Sequence, residues 1–225
     1  LEEFSHNCGI DIWEYSHRPK IRYTRSASRH ALGVVEVTSF LHYENLVKEI
    51  IIINLAGYTK VFSHDTSGGL FSNKNDVLKF NPANSNADLF SILYSLEEYR
   101  DSKGNFQFKL CYPEIKGIGG KSCNEWIQSS NPTTDSIITG FKPISLAFVK
   151  NSINDDWKGL GINSRRSSAL IDDAPTHSHW FSAIGAFRNW GGQNKIPGPR
   201  IEPYSSRSPT TQVELFVLSK VKHFK

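Results

Sequence analysis

The densest run of side chains able to do chemistry is Asp172, Asp173, His177, His179 and Trp180. Adjacent carboxylates and a His-x-His pair are the donor types that hold a divalent ion. In a strand, side chains alternate, so His177 and His179 point one way and can coordinate jointly. Asp172 and Asp173 then point apart, unless Pro175 turns the chain. The plainer alternative is an aspartate accepting backbone N–H bonds in a turn, with the histidines on the surface. A second acidic run, Asn154, Asp155 and Asp156, precedes Trp157 and Gly159. It carries oxygen ligands of the kind calcium favours but lacks EF-hand spacing, and an Asx-turn explains it better.

Trp126, Trp157, Trp180 and Trp190 lie near Gly, Asn or Asp in expected turns or strand ends. An indole face with carboxylates around it makes a shallow sugar site, apolar in the middle and polar at the rim. The sequence therefore nominates Trp157, Asp172, Asp173 and Trp180 as ligand contacts, and His177 and His179 as metal ligands. Calcium or another divalent ion, or a bound chromophore, are the cofactors these residues could serve. For each tryptophan the competing role is core filling. Enzyme signatures are weak: there is no GxSxG elbow, no HExxH and no local Ser/His/Asp spacing that suggests a triad. The HDTSGGLFSN loop at 64–73 lacks the Lys and spacing of a phosphate cradle.

These groups need a scaffold, and the pattern is that of an α+β domain with a mainly antiparallel sheet. Phe106, Phe108 and Leu110 alternate with Gln107 and Lys109, and Val213, Leu215 and Val217 mark a closing strand over 212–218. Further strands are expected at 32–43, at the Ile50–Ile53 run, at 58–63 and through Ile144, Leu146 and Phe148. The spacing of Leu89, Ile92, Leu93, Leu96 and Tyr99 predicts one amphipathic helix over 88–100, capped by Asn86 or Asp88. No second boundary is visible beyond residue 57. The first 57 residues read as a basic arm with strands, part of the same domain as a module over 58–225.

The cysteines are Cys8, Cys111 and Cys123. Cys111 and Cys123 flank a glycine-rich loop, and pairing them leaves Cys8 either unpaired or paired with a second chain. The competing reading is three reduced thiols inside a cell. A chain that begins at Leu1 and contains no methionine is expected to be a mature form after leader removal, which suits export. No apolar run approaches the roughly 20 residues that span a bilayer. The net charge of +4 is mild, and a nucleic-acid binder more often shows a denser basic stripe with aromatics set into it. Arg18, Lys20, Arg22, Arg25 and Arg29 could form a patch for anionic glycans or headgroups, but a solvated arm is the simpler reading.

GGLFS (68–72), ADLFSIL (87–93), FKLCYPE (108–114), CNEWIQSSNP (123–132), ITGF (138–141), WKGLG (157–161), LIDDAP (170–175), WFSAIGAFRNW (180–190), IPGP (196–199) and VELFV (213–217) occur in this order. Together they resemble an extracellular module of marine invertebrates and lancelets, over about Tyr58 to Leu218. That module is loosely similar to fibrinogen C-terminal-like recognition domains, which include calcium-dependent lectins for sugars and acetyl groups. The resemblance implies a secreted recognition domain. The abundant disulfides and Asp-rich calcium loop of those domains have no counterpart here, so no ligand residue is carried over. The leading expectation is a secreted, lectin-like protein with a glycan or small-molecule ligand, without nucleic acid or transmembrane segment, and oligomeric if Cys8 pairs. The alternatives are a carrier of an apolar pigment or chromophore, and a metal-dependent secreted enzyme.

Overall fold

The structure is a computed structural model that describes residues 57–151, 155–163, 168–176, 181–189, 194–201 and 207–219. All of them belong to the unit Ile51–Lys225. The strands expected at 32–43 and 50–53, the basic arm and Cys8 lie outside the described residues.

A six-stranded antiparallel sheet in the order β2-β1-β11-β3-β4-β5 is the frame. Its strands are β1 (Tyr58–Asp65), β2 (Leu89–Ser91), β3 (Phe106–Cys111), β4 (Cys123–Gln128), β5 (Lys142–Ser145) and β11 (Gln212–Leu218). The α+β, mainly antiparallel class expected from the sequence is the class observed. The closing strand β11 inserts between β1 and β3, with Phe62 opposite Leu215 and Leu215 opposite Leu110. A smaller sheet orders β6 (Gly161–Ile162), β7 (Ala169–Asp172) and β8 (Ile184–Ala186) as β6-β7-β8, and β9 (Ile196–Arg200) pairs with β10 (Arg207–Thr210).

Strand periodicity decides which side is dry. Phe62, Val213, Leu215, Val217, Phe106, Phe108, Leu110 and Trp126 are at most 1% exposed, while their chain neighbours Gln107, Lys109, Glu125 and Glu214 are half-buried on the other face. Ile171, Ile184 and Ala186 of the small sheet join the same apolar core. Each large side chain so buried contributes up to about 1.5–3 kcal/mol.

The helix expected over 88–100 is not there as one element. Leu89–Ser91 is strand β2, paired with Phe62–His64 of β1, and Leu93–Tyr99 is a 3-10 helix. Leu93, Leu96 and Tyr99 recur every three residues, which stacks them on one face of a three-residue turn, and Leu93 and Leu96 are buried. Leu89 and Phe90 are claimed by the open edge of β1. Ser91 makes the break between the two, its hydroxyl donating to the Val77 carbonyl and accepting from Leu93 N. The sole α-helix among the described residues is α1 (Lys74–Leu78), capped by the Asn73 side chain, which accepts from Asn75 N and Asp76 N.

The strand expected through Ile144, Leu146 and Phe148 is also shorter. It ends at Ser145, with Ile144 48% exposed. Beyond it, the Asn124 amide replaces the ladder: its oxygen accepts from Ala147 N and Phe148 N, both at 2.9 Å, and its nitrogen donates to Phe148 O at 2.8 Å.

Candidate functional site

Cys111 and Cys123 are directly opposite on β3 and β4 and are joined by a disulfide, their Cα atoms 4.1 Å apart. The link closes the 112–122 loop at its base. Glu114 pins that loop to the end of β10, accepting from Thr211 N at 2.9 Å and from the Thr211 hydroxyl at 2.6 Å. These bonds hold its carboxyl below the usual carboxylate range.

The nominated ligand residues divide between the core and the undescribed segments. Trp157 is 2% exposed, edge-on to Trp126 with ring centroids 4.6 Å apart. It therefore presents no indole face to solvent and is a core residue, and the chain just after it is held at the Gln128 amide, whose oxygen accepts from Leu160 N at 3.1 Å. Gly159, at φ +102°, makes this approach possible: a Cβ there would lie 2.6 Å from Gln128 Oε1.

Asp172 and Asp173 are 0% and 3% exposed. Asp172 Oδ1 accepts from Ala174 N at 3.0 Å, the turn role open to it from sequence, and Asp173 Oδ2 accepts from the Ser182 hydroxyl at 3.2 Å. Ser182 adopts φ +45°, a left-handed conformation that costs a non-glycine residue about 1–3 kcal/mol. Burial pushes the neighbouring Tyr112 hydroxyl well up, with Ser182 opposing the shift and the Asp173 charge adding to it. The carboxylates thus serve a buried polar network. His177, His179 and Trp180 lie outside the described residues. Among the described residues, no group of three or more His, Cys, Asp or Glu side chains is placed to hold a metal ion.

A polar cleft of about 210 Å³ opens instead on the solvent side of the sheet, lined by Lys60, Ser63, Asp65, Asn86, Asp88, Gln212 and Glu214 among others. Its residues come together because β11 lies beside β1 and the 84–88 loop crosses the end of β1, where Asp65 N donates to Asp88 O at 2.7 Å. Lys60 Nζ pairs with Glu214 at 2.6 Å, and Gln212 Nε2 donates to Asp65. Burial opposes the ionisation of Asp65, but bonds from the Ser67 N–H and hydroxyl and from Gln212, together with His64, outweigh it and hold the carboxyl below its ordinary range. The side chains of Asn86 and Asp88 are exposed and make no hydrogen bond among the described residues. Sequence reading missed this group because its members lie up to 154 positions apart, from Lys60 to Glu214. The available signal was the polar phase of the closing strand, Gln212 and Glu214, set against its apolar phase.

Beside β4 there is a second cleft, of about 240 Å³, lined by Lys116, Gly117, Ile118, Ala147, Phe148, Val149, Arg200 and Ile201. Among the described residues, no tryptophan lines either cleft. No helix among the described residues is long and apolar enough to cross a membrane. No protein-family model matches the chain, no curated protein matches it, and no solved structure matches it.

Proposed function

We propose that this is an extracellular recognition protein that binds a carbohydrate in the polar cleft between β1, β11 and the 84–88 loop. The observation that carries the reading is the pairing of pre-set and unengaged groups in one small cavity. Asp65 is fixed by Gln212 and Lys60 by Glu214, while the exposed side chains of Asp88 and Asn86, which make no hydrogen bond among the described residues, present acceptors and donors on the facing wall. A sugar hydroxyl both donates and accepts, so carboxylates next to amides and a lysine match it at several positions. The Cys111–Cys123 disulfide supports an oxidising compartment.

The test is a glycan array followed by calorimetric titration of any hit, with and without calcium. Asp88→Ala should weaken binding about tenfold or more, the loss of one charge-assisted bond. It should leave the fold intact, since the side chain is exposed and makes no hydrogen bond among the described residues. A silent array in both conditions would sink the proposal.

A further inference from the structure

We propose that the polar cleft takes a sugar with a free amine, an amino sugar such as glucosamine, whose ammonium sits at Asp65 and Asp88. This rests on the carbohydrate reading above and adds to it the charge of the guest.

The first ground is an unbalanced charge. Asp65, Asp88 and Glu214 line the cleft, and Lys60 is the one lysine or arginine that does so among the described residues. Lys60 Nζ lies 2.6 Å from Glu214, so those two charges are matched within the protein. Asp65 and Asp88 form no ion pair among the described residues. A neutral sugar would leave both of their charges uncompensated, whereas an ammonium answers them with charge-assisted hydrogen bonds.

The second ground is where the charges lie. In the β1–β11 ladder Ser63 is opposite Glu214 and Asp65 is opposite Gln212. These two rungs are two positions apart, about 7 Å along the strand. Asp65 N donates to Asp88 O at 2.7 Å, which sets Asp88 beside Asp65 and away from the ion pair. One end of the cleft is therefore anionic, and the other is balanced and rich in hydrogen-bonding groups. A pyranose with one ammonium and several hydroxyls divides in the same way. A bare divalent ion does not suit the anionic end. Among the described residues no group of three or more His, Cys, Asp or Glu side chains is placed to hold one.

The third ground is that the anionic end is charged and in place before a guest arrives. Burial works against the charge on Asp65, but the bonds it accepts from Ser67 and Gln212 hold it ionised. His64, edge-on to Phe71 on the core side of β1, adds no positive charge at neutral pH, because burial lowers its pKa. Asp88 is backed by Gly68, where an added Cβ would lie 2.6 Å from Asp88 Cβ, so glycine lets the 66–69 turn pack against that wall. A wall set in advance lowers the ordering cost of binding.

Glucosamine, glucose and cyclohexylamine serve as probes, titrated into the intact chain just below neutral pH and followed by NMR chemical shifts. Glucosamine should bind saturably, about tenfold or more tighter than either of the others. Asp88→Asn keeps the shape and the contact with Gly68, and should reduce the preference for glucosamine over glucose to about threefold or less. Equal affinity for glucose and glucosamine would overturn the inference about charge and leave the carbohydrate reading standing. Cyclohexylamine binding as well as glucosamine, with glucose silent, would overturn both, since the cleft would then read charge alone. An unchanged preference in Asp88→Asn would also overturn the proposal.

Discussion

Trp126 and Trp157 meet edge to face at 85°, with Phe108 tilted at 35° beyond Trp126 and Phe141 edge-on against Trp157. This chain of rings joins the six-stranded sheet to the segment that leads into the small sheet. Indoles so placed are structural, whatever the polar residues beside them in sequence suggest. Trp157→Ala should lower stability by about 3–5 kcal/mol, the range for emptying a fully buried large aromatic. Urea unfolding followed by circular dichroism reads this directly. If Trp157 were instead a ligand contact, the midpoint would barely move.

The Gln128 amide is a buried node with each of its groups engaged. Its oxygen accepts from Trp126 Nε1 at 2.7 Å and from Leu160 N at 3.1 Å, and its nitrogen donates to the carbonyls of Ser130 and Leu160, both at 2.9 Å. Gln128→Leu keeps the volume but strands several buried donors and acceptors. The expected loss is about 2–4 kcal/mol, from the cost of leaving such groups unpaired. An unfolding midpoint within error of the wild type would show that water enters and replaces the amide.

Which of these features the sequence discloses depends on the range of the interaction. Alternation in β3 and β11 is local and reads directly, as Phe108 and Leu215 show by their burial. The disulfide was legible because a short glycine-rich loop separates its cysteines. The 88–100 segment misled because apolar residues three and four apart fit an α-helix and a strand followed by a 3-10 turn alike. What decides is the unpaired edge of β1, which only tertiary structure reveals. The polar cleft escaped notice for the same reason: Asp65, Asp88 and Gln212 share no local pattern. Trp157 could not be assigned because indoles near glycine and aspartate look alike whether they face water or pack on Trp126 and Phe141.

The disulfide spans 12 positions between directly paired residues. In a chain-entropy account, a loop of that length contributes about 3 kcal/mol by restricting the unfolded chain. Replacing both cysteines with serine, or unfolding in dithiothreitol, should lower the stability by about that amount. Equal stability with and without reductant would mean that Glu114 and the β3–β4 ladder alone hold the loop.

His64 gives the domain a defined response to acid. It is 1% exposed on β1, edge-on to Phe71, with Nε2 3.0 Å from Gly69 O. Nδ1 has no partner. Burial lowers its pKa, with the Gly69 carbonyl and the nearby Asp65 charge pulling the other way. In the unfolded chain the imidazole titrates near its ordinary value of about 6.5. Above that pH both states are neutral there, and His64 gives no pH dependence. Below it the unfolded state binds a proton that the folded state refuses, so stability falls on acidification, by at most about 1.4 kcal/mol per pH unit. The decline ends once the pH passes the depressed folded value. His64→Phe fills the same space beside the stacked Phe62 and Phe71 rings and removes the titration. Denaturant midpoints measured from pH 8 to about pH 5 should therefore fall less steeply in this variant than in the wild type. Parallel curves would place the acid sensitivity elsewhere and show that the folded protein accommodates the charged imidazole.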